Sequence, residues 1–174
     1  MNQDAFQQMS VGKSSQPNSP LTGATMSKKF VIISTAILFL VLFNVGFVFH
    51  EPLMGAWFHQ QEASIARENF IIPFIALAYL VYCFLLSYFF PIYVAYYPGA
   101  SRIPLGLKFG IIMGVLFDAL QGGIIEVATF NMPIAVFFVD SGYHVLIEGS
   151  IAGLILAFVS KKWPTPAGFV RASA

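Results

Sequence analysis

Four long apolar runs constrain this chain more than anything else in it. Twenty residues of helix at roughly 1.5 Å each cross a ~30 Å hydrocarbon layer. Runs of about that length or longer occur at 30–49, 70–93, 105–129 and 134–159. With 57% hydrophobic and only 10% charged residues, the 174-residue chain departs far from soluble composition, in which about a quarter of residues are charged. The expected fold is therefore all-α: a polytopic membrane protein with four transmembrane helices, filling 28–163 as one domain.

The first run follows Lys28 and Lys29, a pattern shared with secretory signals, but it is too long for one and no small-residue cleavage site follows. Ahead of it, residues 1–27 are rich in Gln, Ser, Asn and Pro without apolar period, which predicts a disordered polar tail. Residues 164–174 form a second short tail. The basic pairs Lys28/Lys29, Arg102/Lys108 and Lys161/Lys162 fall on one side of the four runs, and the positive-inside rule makes that side, with both termini, cytoplasmic. Tyr93, Tyr96, Tyr97 and Trp163 near that boundary, and Trp57 near the other, fit an aromatic belt. Between the first two runs, "HEPLMGAWFHQQEASIAREN" ends in an expected short amphipathic helix. The lone Cys83 lies in an apolar run, excludes a disulfide framework and is expected to pack.

"FNMP" is the whole turn between the third and fourth runs, so these helices are antiparallel neighbours, with Pro133 suited to the first turn of the second. Gly106, Gly110, Gly114 and Gly122 recur at four-residue multiples on the third run, and Gly142, Gly149 and Gly153 recur on the fourth. Such small-residue faces let helices approach closely in lipid, where apolar burial does not drive association.

The same two helices carry Asp118, Glu126, Asp140 and Glu148 with His144, and no Lys or Arg between Leu116 and Ser150. Reflection of one helix on the other about Met132 brings Asp118 level with residue 146, between His144 and Glu148, near mid-membrane. It brings Glu126 level with residue 138, near Asp140, in a second layer. Asn44, Tyr79, Tyr82 and Gln121 are candidates to add hydrogen bonds. A charged carboxylate at the bilayer centre costs at least ~2.5 kcal/mol. Four cannot all stay charged and unpaired, so shared protons, a bound cation, a water-filled cavity or a basic residue of another subunit must neutralise them. The plainer alternative is interhelical hydrogen bonding, each bond worth about a kcal/mol or less. For His50 and His59 ordinary interfacial chemistry is expected.

No catalytic motif is present, neither His-Glu-x-x-His nor Gly-x-Ser-x-Gly nor a phosphate loop, so the chain is not expected to be an enzyme. The spacing of Asp140, His144 and Glu148 is compatible with metal ligation on one helical face. It lacks the second histidine that most such sites use, so neither metal nor cofactor is assigned.

"VFHEPLMGAWF" after the first run, "PLGLKFGIIMGVLF" opening the third and "FFVDSGYHVLIEGSIAGLILAF" in the fourth resemble a family of small four-helix bacterial inner-membrane proteins of uncharacterised function. The resemblance covers about Asn44 to Val159 and implies the same topology and a multi-pass inner-membrane location. Expected surroundings are the lipid bilayer and a homo-oligomer or larger membrane complex, with no nucleic acid. Two functions follow: a proton- or cation-linked transport component or sensor centred on Asp118, His144 and Glu148, or a non-catalytic accessory subunit whose polar faces dock on partner helices.

Overall fold

The computed structural model describes residues 27–65 and 71–163. The N-terminal tail as far as residue 26, the segment 66–70 and the C-terminal tail from 164 lie outside the described residues. Five helices make up the rest, with no strand among the described residues.

Helix α1 is Lys28–Leu53. The Ser27 hydroxyl caps it, accepting the Phe30 N–H at 3.3 Å and so satisfying a donor that no preceding turn can. Its last turn, Phe49–Leu53, winds as π-helix around Pro52, so the helix outruns the apolar stretch by one polar turn. The short α2, Gly55–Glu62, folds back and lays Phe58 over the end of α1. The short amphipathic helix expected at the end of this loop falls largely on 66–70, outside the described residues. Helix α3 is Ile72–Ala95, with Pro73 in its first turn, where a missing N–H costs no intrahelical bond. Gly99, at φ +83°, adopts the left-handed conformation that turns the chain before α4.

Helix α4 begins as Arg102–Gly114, continues as π-helix through Val115–Gly123 and ends as Ile124–Thr129. Helix α5, Ile134–Lys162, repeats that plan, with a π-helical middle at Tyr143–Glu148. Pro133 precedes its first turn in extended conformation. A π-helical turn widens the backbone and redirects side chains, and such turns recur at functional sites.

Helices α1, α3, α4 and α5 are each long and apolar enough to cross a membrane. Ile32, Leu40, Phe74, Leu116 and Phe138 all point outward, each at least 48% exposed. In water each would forgo ~1.5–3 kcal/mol of burial; against lipid it forgoes nothing. The buried apolar core occupies the half of the bundle nearest Lys28 and Lys162: Phe30 stacks on Phe90 and Phe90 meets Phe109 edge-on, with Leu38, Leu86 and Leu156 around them. Cys83 is buried in this core.

Helices α4 and α5 meet backbone to backbone. Gly106 stands against the carbonyl of Gly153 and Gly110 against that of Gly149, where a Cβ on either α4 glycine would strike the facing main chain. Gly114 lies against Val145 and His144, while Gly142 faces open space and the surroundings of Gly122 are outside the described residues. These glycine pairs set the register, which differs from reflection about Met132. Asp118 comes beside Ser141 rather than level with residue 146. The reason is that close backbone contact, the favourable term in lipid, overrides the symmetry of a short turn.

Candidate metal centre

The half of the bundle opposite the apolar core holds the polar groups, and three π-helical turns deliver them. His50 comes from the turn ending α1, Asp118 from the π segment of α4, and His144 and Glu148 from that of α5, with Asp140 one turn earlier.

Glu148 anchors the group. Only 1% exposed, it accepts hydrogen bonds from the Tyr79 and Tyr143 hydroxyls on Oε1, at 2.9 and 3.1 Å, and its Oε2 lies 2.7 Å from His144 Nδ1. Three donors on one buried carboxylate leave little capacity for a further ligand and fix the His144 ring. Gly46 makes room for the arrangement, since a side chain there would collide with the Tyr79 hydroxyl.

His50 is held in the same way from the other side. Its Nδ1 lies 2.9 Å from the Gly46 carbonyl, which can only accept, so Nδ1 carries the proton. The ring is clamped by Phe58 and by Tyr143, whose own ring stacks on Phe49 at 3.8 Å. With both Nδ1 atoms committed as donors, the two Nε2 atoms turn toward one carboxylate, that of Asp140. His50 Nε2 is 2.7 Å from Asp140 Oδ1, and His144 Nε2 is 3.6 Å from the same oxygen and 3.9 Å from Asp118 Oδ1. One ligand atom from each of His50, Asp140 and His144 lies within 4.8 Å of the other two.

In a neutral imidazole the second nitrogen offers a lone pair, so these atoms would be three electron-rich groups facing one another. A cation between them removes the conflict. Asp118, Asp140 and Glu148 outnumber the two imidazoles, and each ion pair among the described residues involves one of those histidines. Ligand atoms held ~2.0–2.2 Å from a tetrahedral ion lie ~3.3–3.6 Å apart, and the 3.6 Å pair already falls at the edge of that range. The 2.7 Å pair needs to open by less than an ångström.

Two cavities meet at this centre. One of about 350 Å³ lies beneath α2 between α1, α3 and α5, reaches His50, Asp140 and His144, and has Glu51, His59 and Glu62 in its wall. The other, about 710 Å³, lies between α3 and α4 and reaches Asp118, His144 and Glu148. Tyr79 and His144 border both.

Of the residues singled out from sequence, Asp118, Asp140, His144 and Glu148 come together in one cluster rather than two layers. The Glu126 and Gln121 side chains lie outside the described residues. Asn44 turns away, donating from Nδ2 to the Leu40 carbonyl of its own helix at 2.6 Å. His50, expected to be an ordinary boundary residue, instead supplies the second imidazole. A signal for it existed: Leu38, Leu42 and Gly46 form a buried four-residue stripe, and His50 is its next member. Comparison with family models, curated proteins and solved structures gives no match for this chain.

Proposed function

We propose that the protein binds a divalent first-row metal ion, zinc or iron(II), through His50, Asp140 and His144, and acts as a cation-linked transport component or sensor in the bacterial inner membrane. One observation carries this reading: two imidazoles with Nδ1 committed as donor aim Nε2 at a single carboxylate oxygen. Metal-binding histidines are oriented in this way, by a carboxylate or carbonyl on the far nitrogen. Two histidines and one carboxylate suit zinc and iron(II), and leave positions for water or a further ligand.

A proton alone explains less. It can bridge His50 and Asp140 at 2.7 Å, but the 3.6 and 3.9 Å separations around His144 Nε2 are too long for hydrogen bonds and suit the edges of a coordination sphere. The cavity with Glu51 and Glu62 in its wall offers a cation an acidic approach. The basic residues at the opposite end, Lys28, Lys29, Arg102, Lys108, Lys161 and Lys162, support a cytoplasmic position for both termini.

The test is elemental analysis of protein purified in mild detergent and incubated with zinc or iron(II). One metal per chain is expected, lost in both His50→Ala and His144→Ala while insertion and yield persist. A metal-free protein that copurifies with a large membrane complex would favour the accessory-subunit reading instead.

A further inference from the structure

We infer that the metal centre opens to one side of the membrane only: its ion enters and leaves through the cavity beneath α2, and the protein senses metal in that compartment instead of conducting it across. The inference takes the identity of the ion from the proposed metal centre. Its direction rests on the cavity and the core alone.

The centre lies near the end of the bundle where α1 stops and α2 folds back over it. The cavity there, about 350 Å³, is bounded by Glu51 at the end of α1, by Phe58, His59 and Glu62 of α2 and by Met132 of the turn before α5, and it reaches His50, Asp140 and His144. Since a water's share of the liquid is ~30 Å³, a partly hydrated ion fits. The His50 and Asp140 side chains are each 33% exposed, so the ligands are open to this end. Glu51 and Glu62 in the wall favour a cation there. Phe58 stacks on the His50 ring with centroids 5.2 Å apart, which ties the α2 roof directly to a ligand.

In the other direction the bundle is closed. Past Glu148, the side chains of Leu42, Leu86, Phe90, Phe109, Ala152 and Leu156 fill the interior, each 0% exposed. From Glu148 to Ser160 this stretch runs roughly 18 Å along α5. Its parts of the four spans, 28–49, 83–95, 102–117 and 149–162, contain no Asp, Glu or His. The buried polar side chains in it are Ser34, Ser87 and Ser160, and Ser34 and Ser160 donate to carbonyls of their own helices. An ion stripped of water would find no ligand along such a path. Between α4 and α5 the backbone contacts of Gly106 with Gly153 and of Gly110 with Gly149 leave no gap. The larger cavity between α3 and α4 also reaches His144 and Glu148, but it opens past the exposed side chains of Phe74, Leu77 and Val81 into hydrocarbon, from which no free cation arrives.

The experiment uses the full chain carrying Cys83→Ser, in sealed membrane vesicles of both orientations, with a small membrane-impermeant cationic thiol reagent. Gln60→Cys on α2 and Lys161→Cys at the opposite end, both at exposed positions, mark the two sides. Asp140→Cys and His50→Cys report on the centre, two variants so that one that fails to insert does not decide the matter. Both should be labelled several-fold faster in the vesicles that label Gln60→Cys than in those that label Lys161→Cys. Faster labelling from the Lys161 side, or none from either side, would overturn the inference. In a second arm, wild-type protein is sealed into liposomes around a trapped zinc indicator, and zinc entry should equal that of protein-free liposomes. Protein-dependent entry that is lost in His144→Ala would overturn the inference while leaving the metal centre in place. One-sided labelling of a protein that binds no zinc would remove the metal centre and leave the direction of access standing.

Discussion

His50 Nε2 lies 2.7 Å from Asp140 Oδ1, though ninety residues separate them in the chain. The contact ties the last turn of α1 to α5 and, because the opposite nitrogen of His50 is held by the Gly46 carbonyl, points Nε2 at the cluster rather than away from it.

Removing the support of His144 should weaken metal binding without removing a ligand. Glu148→Gln is expected to lower affinity roughly 10–100-fold, as loss of an outer partner of a ligating histidine does elsewhere. Tyr79→Phe deletes one of three donors to Glu148 and should cost about 1 kcal/mol, near fivefold. Chelator competition on purified variants measures both, and equal affinities in all three proteins would remove Glu148 from the account.

Metal affinity should fall as pH is lowered from about 8 to about 5. The direction follows from competition, since a proton and a metal claim the same Nε2 lone pairs on His50 and His144. The dependence should approach two protons per metal in the wild type. A flat profile over that range would mean that neither imidazole is a ligand.

The glycine seam gives a stability prediction. Gly110→Leu places a side chain into the main chain of Gly149 and should destabilise the bundle by ~1–3 kcal/mol or more, whereas Gly142→Ala, in open space, should be close to neutral. Thermal unfolding in detergent, followed by Trp fluorescence, separates the two. Similar melting temperatures for both variants would contradict the backbone contact.

The four spans were legible because length and apolarity are local properties, and lipid demands both. Three other features were not. The register of α4 against α5 depends on Gly106, Gly110, Gly149 and Gly153 as facing pairs, and four-residue spacing on each helix does not say which glycine meets which. The π-helical turns leave no mark in composition, yet they carry His50, Asp118, His144 and Glu148 to one point. His50 lies just beyond the apolar run 30–49, whereas the helix continues to Leu53.

Topology is checked with reporters. One fused after Trp163 should be active only if it works in the cytoplasm, and one inserted within 60–64 only if it works outside. The reverse pattern would overturn the positive-inside reading and place the cavity containing Glu51 and Glu62 on the cytoplasmic face.

The most direct test of the metal centre is X-ray absorption at the zinc edge on protein loaded with one zinc ion per chain. The account predicts nitrogen and oxygen ligands at ~2.0–2.2 Å with the outer-shell scattering of two imidazoles, reduced to one in His50→Ala and in His144→Ala. A spectrum without imidazole scattering, or one unchanged by either substitution, would contradict it.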